Sequence, residues 1–428
     1  MKAAPSPFRA QPSHKEEFEF VEPQDLCQSF QAQRHVALNQ TTRRQDDKGR
    51  YVMTKVDVAI VGAGIMGLAH AIHAARAGLS VAVFDRSAEA NGASVRNFGM
   101  LAVVAQAPGA QLASARRALG LWQEIALQAG ISMHRAGCLF LARASQEMQV
   151  LEECAALNKD NGHALELLTK SKLPDYADNL NHDALLGGLW SPDAWKVDQR
   201  QASSRIADWL RREHGVTFHF NVSVHGVTSG TVETSAGTFR AGHTIMCGGD
   251  EFGTLLPDAF RASGVTRCQL QMLRTPVQPE GWRLKPFILG GLSMTRYSLF
   301  ASCPSLAALK AYQEAYYAEH LKHGIHVIAC QEADGSITIG DSHAYGDAAD
   351  AAPSNEIDRL IMSDLAGMIT LPDATIADRW IGRYAHLLGT DALTLAPEQG
   401  VCAVTMTNGQ GMTHAFAVAE GVIRDLAG

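Results

Sequence analysis

The stretch Val58–Ala59–Ile60–Val61–Gly62–Ala63–Gly64–Ile65–Met66–Gly67 runs an apolar strand into a glycine turn and out into a helix. In that setting the G-x-G-x-x-G spacing has mechanical content. Gly62 allows the tight turn, Gly64 lets a pyrophosphate approach the backbone, and Gly67 lets helix and sheet pack closely. The helix start, at Ile65 and Met66, offers free N–H groups and the positive end of its dipole to that pyrophosphate. A strand over 56–61, a helix over 65–77 stopped by Gly78 and a strand over 80–84 make a βαβ opening, which implies a parallel sheet. Asp85 closes the second strand 18 residues after Gly67. There a carboxylate can accept hydrogen bonds from ribose hydroxyls and would repel a 2′-phosphate. A dinucleotide other than an NADP-type ligand is the expected occupant.

Working outward, the second strand leads into a long loop, Asp85–Arg86–Ser87–Ala88–Glu89–Ala90–Asn91–Gly92–Ala93–Ser94–Val95–Arg96–Asn97–Phe98–Gly99–Met100, rich in small and polar residues. Such a loop suits a ligand that continues beyond the pyrophosphate into an isoalloxazine ring. Near the other end, Val404–Thr405–Met406–Thr407–Asn408–Gly409–Gln410–Gly411–Met412–Thr413 repeats the order of strand, glycine turn and helix. A helix over 412–426 would aim N–H groups at the pyrimidine edge of a flavin, where its dipole stabilises the negative charge of the reduced ring. FAD, held without a covalent bond, is the expected cofactor. No metal centre is expected, since the histidines are dispersed and His70 and His73 are expected to face solvent.

Composition narrows the class. The chain has 428 residues, 46% hydrophobic and 19% charged, which is enough for two or three domains with ordinary interiors. Its net charge is −7, from 37 basic and 44 acidic residues, so it lacks the positive field that nucleic acid requires. Eight scattered cysteines without a CxxC pair suit reduced thiols and a cytoplasmic location. The start lacks a basic n-region followed by an apolar h-region, so no secretory signal is expected there. The apolar stretch 58–75 carries glycines and histidines and is expected to be a buried strand and helix, not a membrane span. Residues 1–54 are polar and aperiodic and are expected to be a flexible extension; Met53, directly before the first strand, is an alternative start. Beyond 100, a mostly helical stretch is expected over 110–169, βα-rich structure over 197–249, and mixed strands and helices over 275–375.

The chain resembles the D-amino-acid oxidase superfamily, which includes glycine and sarcosine oxidases. The resemblance is carried by V-A-I-V-G-A-G-I-M-G, the loop S-V-R-N-F-G-M-L, the strand I-M-C-G-G-D and the terminal G-Q-G-M-T. It implies an α/β fold: a Rossmann-like FAD-binding domain with a discontinuous α+β substrate domain, as in the D-amino-acid oxidase and glutathione-reductase folds. The FAD-binding domain would comprise 55–136, 198–274 and 376–428, and the substrate domain 137–197 and 275–375. Val224, Gly248 and Gly249 would approach the adenosine and pyrophosphate, with Asp85 and Arg86 beside the ribose. Arg96, Asn97 and Gly99 would border the ring, and Gly409, Gly411, Met412 and Thr413 its pyrimidine.

Three further segments resemble a subgroup associated with organophosphonate degradation. They are Gln271–Met272–Leu273–Arg274–Thr275, Gly340–Asp341–Ser342–His343–Ala344–Tyr345–Gly346 and Trp380–Ile381–Gly382–Arg383–Tyr384–Ala385. Where sarcosine-type relatives place a lysine, this chain has Thr338; where glycine-type relatives hold a carboxylate with arginine, it has Tyr384. A neutral phenol gives one hydrogen bond, not a bidentate charged fork. The resemblance therefore implies oxidation of a small anionic amine, 2-aminoethylphosphonate or an N-methyl derivative, to an imine hydrolysed to an aldehyde. Oxygen or another acceptor would take the electrons. Arg274, Arg296, Tyr297, His343 and Tyr384, with Arg383, are the expected substrate contacts, and Trp380 a packing aromatic. A glycine- or sarcosine-type amino acid oxidase and a non-catalytic flavin-binding protein stay open as alternatives, as does assembly into a homo-oligomer.

Overall fold

Strand Val56–Val61 is flanked on both sides by parallel neighbours, Val81–Asp85 and Gly237–Met246. Thr217–Phe220 adds to the outer edge of Val81–Asp85, and Val401–Met406 to Gly237–Met246, both parallel. Val58, Ala59 and Ile60 are fully buried, the continuous apolar run of a strand covered on both faces. Antiparallel strands Val224–Thr228, Thr231–Thr234 and Ala392–Glu398 complete an eight-stranded sheet. Helices Ile65–Arg76 and Gly411–Ala427 pack against each other on this sheet. The computed structural model describes residues 44–45, 51–52, 55–346 and 352–427. Apart from a short pairing of Arg44–Gln45 with Tyr51–Val52, the expected extension over 1–54 lies outside the described residues.

A second, nine-stranded sheet runs in the order Ala344–Tyr345, Thr266–Arg274, Ile337–Gly340, Ile328–Gln331, Phe287–Leu289, Cys138–Ala142, Gly187–Ser191 and Glu166–Thr169, with Asp378–His386 paired along Thr266–Arg274. Two of these strands fall, by the sequence boundaries, in the dinucleotide half: Thr266–Arg274 and Asp378–His386 instead build the second sheet. The cause is non-local, because they pair with each other in unbroken register from Thr266↔His386 to Arg274↔Asp378. The helical expectation for 110–169 holds for Ala110–Ala129 and Ser145–Leu157, but strands Met133–Arg135, Cys138–Ala142 and Glu166–Thr169 interrupt it.

Among the described residues no helix is long and apolar enough to cross a membrane, and 58–75 divides into the expected buried strand and helix. Seven cysteines are described, all buried and free. His70 corrects an expectation. It is fully buried, because helix Ile65–Arg76 is covered by the sheet, by Gly411–Ala427 and by Gln199–His214. His73 is part-buried, its Nε2 3.0 Å from the Phe416 carbonyl.

Candidate active site

The two glycine turns meet at one cavity of about 540 Å³, a size within the range of ligand pockets. Gly62, Gly64, Ile65 and Met66 line one part of it, and Gly409, Gly411 and Met412 another. Gly62 has φ +106°, and a Cβ there would come within 2.4 Å of the Cys247 carbonyl oxygen. The turn is braced from the side. Asp85 Oδ2 accepts the Ala63 N–H at 2.8 Å, and Ser94 Oγ accepts the Ile65 N–H at 2.9 Å. Neither helix that opens on the cavity carries an acidic residue in its first turn, which leaves both positive dipole ends to the ligand.

The second turn is fixed to the loop that follows Gly99. Thr413 Oγ1 accepts the Ala102 N–H at 3.0 Å, and the Met412 carbonyl accepts Trp122 Nε1–H at 2.7 Å. His414 Nε2 lies 3.0 Å from Gln106 Oε1, and Gln106 donates to Gln410. Glycine backbone, two helix starts and a carboxylate at the end of the second strand surround one void, and these residues fit FAD.

Of the expected cofactor contacts, Asp85, Arg86, Arg96, Asn97, Val224, Gly248 and Gly249 also line the cavity. Arg86 reaches Glu251 at 3.0 Å. Three lie outside the lining. Gly67 packs under the turn, where a Cβ would meet the Gly62 carbonyl oxygen at 1.9 Å, and Thr413 pins the loop. At Gly99 a Cβ would meet the Val197 carbonyl oxygen at 2.1 Å, so the position requires close packing against the 195–199 segment.

Where the second sheet borders the cavity, Arg296, Tyr297, His343, Arg383 and Tyr384 come together with Phe98, Leu270, Met272, His326, Ile328 and Asp341. Arg274 does not join them. Its guanidinium stacks 5.1 Å over the Trp380 ring, away from the cavity, and Trp380 Nε1–H donates to the Arg96 carbonyl at 3.2 Å. Thr338 is also behind the wall, donating to Glu332 at 2.6 Å. Glu332 in turn pairs with the buried Lys196 ammonium at 3.0 Å.

Arg296 lines the cavity, and its Nη2 donates to the Tyr345 hydroxyl at 3.1 Å. Burial pushes the Tyr297 and Tyr384 phenols well above their ordinary values, so both stay protonated donors. His326 and Asp341 are held opposite each other by reciprocal backbone hydrogen bonds of 3.0 and 3.1 Å. Burial, reinforced by the Arg296 charge, holds both His326 and His343 far below the usual histidine value, so they are neutral. Burial pushes Asp341 up to about 7, with Arg296 pulling the other way. His326, Asp341 and His343 offer three donors within 4.8 Å of one another, but Arg296 already supplies the positive charge beside that carboxylate.

Sequence reading missed Asp341, His326, Ser94 and the Gln106–Gln410 pair as parts of the site. Asp341 stood in plain sight two residues before His343, but nothing local marks a carboxylate as buried.

A family model described as FAD dependent oxidoreductase matches residues 57–424. Glycine oxidase of Geobacillus kaustophilus is 26% identical over 207 residues, covering 46% of this chain and 55% of that protein. D-amino acid dehydrogenase of Chromohalobacter salexigens is 31% identical over 147 residues, covering 32% of this chain and 33% of that protein. The matched region thus spans about half the length of the first relative and a third of the second. In three dimensions the chain is similar to the crystal structure of glycine oxidase from Bacillus cereus, with TM-score 0.69, 16% identity and coverage of 86% and 93% of the two chains.

Proposed function

This chain belongs to the DAO family of FAD-dependent oxidoreductases, and on that premise we propose that it oxidises a small primary or N-methyl amine carrying an anionic group. The observation that carries this reading is Arg296. Its permanently charged guanidinium opens into the cavity beside the phenols of Tyr297 and Tyr384. Bound FAD supplies the two-electron acceptor for the hydride on the substrate's α-carbon, leaving an imine that water hydrolyses to the carbonyl product.

The chain's own residues bind and orient. Arg296 holds the anion by charge-assisted hydrogen bonds, Tyr297 and Tyr384 donate neutral ones, and Phe98, Leu270, Met272 and Ile328 supply apolar walls that exclude water. Several donors spread around one end of the cavity suit three oxygens better than two, which favours an aminophosphonate such as 2-aminoethylphosphonate or its N-methyl form. A second reading, a glycine-type amino acid substrate, is supported by the match to glycine oxidase.

Anaerobic mixing with a panel of 2-aminoethylphosphonate, N-methyl-2-aminoethylphosphonate, glycine and sarcosine tests this directly. The expected result is bleaching of the flavin by the phosphonates at lower concentration than by the carboxylates. Bleaching by glycine or sarcosine alone would replace the phosphonate reading with the second one. Absence of bleaching by any of them would remove the amine reading altogether. We also propose that the cofactor is held non-covalently, since Cys402 is buried in its strand outside the cavity lining. Acid precipitation should then leave the yellow colour in solution.

A further inference from the structure

Four carboxylates line the cavity. Asp85 ends a strand of the first sheet and Asp250 and Glu251 follow another, all on the dinucleotide side. Asp341 alone stands among Arg296, Tyr297, His326 and His343. Its Oδ1 is buried and accepts no hydrogen bond, although His326 Nε2 lies 3.3 Å away and His343 Nδ1 3.9 Å away. A buried carboxylate oxygen without a donor costs free energy, so a carboxylate of the cavity wall that holds one is suited to a donor brought by the ligand. Neither histidine meets it in hydrogen-bonding geometry: His343 Nδ1 is engaged with the Gly324 carbonyl at 3.1 Å, and His326, held at Nδ1 by Ser293 Oγ at 3.1 Å, leaves Nε2 facing the carboxylate without a bond.

We propose that Asp341 receives the proton of the substrate's ammonium group, so that the amine is neutral when its α-carbon is oxidised. This rests on the reading of the substrate as an anionic amine. An amine of this class arrives protonated, and its nitrogen has no free electron pair until one N–H bond breaks. In the step proposed, that bond breaks, the pair stays on nitrogen, and the proton bonds to the Asp341 carboxylate. The carboxylate becomes a neutral acid, the form that burial favours. Arg296 takes the anionic end, so the two ends of the substrate meet opposite charges on one wall. His326, locked through Ser293, is a positioning residue for the carboxylate.

The surroundings support proton uptake near neutrality. Burial raises Asp341 to about 7 while Arg296 opposes the rise, and the other groups facing it are Tyr297, Cys268 and the neutral His326 and His343. Proton transfer from an ammonium to such an acid is less uphill than to an ordinary aspartate at 3.8.

The test compares wild type with Asp341→Asn, checked first for FAD content. The rate of anaerobic flavin reduction at low amine concentration is followed from pH 6 to 10 with 2-aminoethylphosphonate and with glycine. Wild type is expected to lose rate as pH falls through Asp341's titration. Asp341→Asn is expected to lack that acid limb, to be slower by about 10²-fold or more at pH 7.5, and to recover about tenfold per unit as pH approaches the amine's own ionisation. Ethylphosphonate and acetate, which lack the amine, should bind the variant at least as tightly as wild type. An acid limb that persists in Asp341→Asn, with rates within about threefold of wild type, overturns the proposal. If no amine reduces the wild type, the functional reading falls and this one with it. Should the variant lose FAD, calorimetry on wild type at pH 8 in buffers of different ionisation heat decides. Binding without net proton release supports the transfer, and release of one proton per amine overturns it.

Discussion

The ring of Tyr384 lies so close to Gly409 that a Cβ on the glycine would come within 3.0 Å of it. Tyr384 comes from the Asp378–His386 strand of the second sheet, and Gly409 from the turn before helix Gly411–Ala427. This contact joins the polar end of the cavity to the second cofactor turn. Gly409 also has φ +75°, where a side chain is strained by about 1 kcal/mol. Gly409→Ala should therefore lower stability by about 1–2 kcal/mol and displace the Tyr384 ring. The expected signature is a raised KM for the amine with FAD still bound. An unchanged KM would show that the contact does not set the tyrosine's place.

Arg296 should carry most of the charge recognition. Replacing it by glutamine removes charge-assisted hydrogen bonds worth about 1.5–3 kcal/mol, which corresponds to about 10–100-fold in kcat/KM. Arg296→Lys should recover part of this, since a point charge replaces a planar fork. The loss should be larger for a phosphonate than for a carboxylate substrate. Equal rates for wild type and Arg296→Gln with every anionic amine would remove this residue from the binding account.

The parallel core was legible because its signal is local: strand, glycine turn, helix and acid follow one another between Val56 and Asp85. The convergence of Gly64 and Gly411 on one cavity was legible for the same reason, each turn announcing a helix start. Sheet membership of Thr266–Arg274 was not, since its partner Asp378–His386 lies far along the chain and both read simply as strands. Arg274 misled because an arginine's partner, here the Trp380 ring, is chosen by tertiary packing. Asp341 and His70 escaped for one shared reason. Burial of a polar side chain is a property of the whole fold, and residue type points toward solvent.

Lys196 and Glu332 form a buried pair at 3.0 Å that ties the Trp195–Val197 strand to the second sheet. The ammonium also donates to the Phe98 carbonyl at 2.6 Å, directly behind a residue that lines the cavity. Lys196→Met would leave Glu332 only the more distant Arg200, 3.9 Å away, as counter-charge and should cost about 3 kcal/mol. Adding Glu332→Gln to that variant should recover much of the loss, because the amide can still accept from Thr338. Denaturant midpoints of the four proteins give the coupling. If the double variant is no more stable than Lys196→Met, the cost lies in packing and not in the uncompensated charge.

His70 gives the fold a dependence on pH that is separate from the active site. Burial, opposed by its 2.8 Å contact with the Met66 carbonyl and aided by His73, lowers it from 6.5 to about 4. Folded, it is neutral over that interval; unfolded, it takes up a proton. The stability it contributes is thus fully present above about 6.5 and is withdrawn as pH falls toward 4, by about 3 kcal/mol in all. His326, His343 and His414 are lowered too, so the wild-type protein should lose stability steeply over this window. His70→Leu keeps the volume and removes one titrating group, along with a buried Nε2 that has no hydrogen-bond partner. Its denaturation midpoints should converge on or pass those of wild type as pH drops from 7 to 4. Parallel curves for the two proteins would mean that His70 reaches solvent before unfolding and does not drive the acid transition.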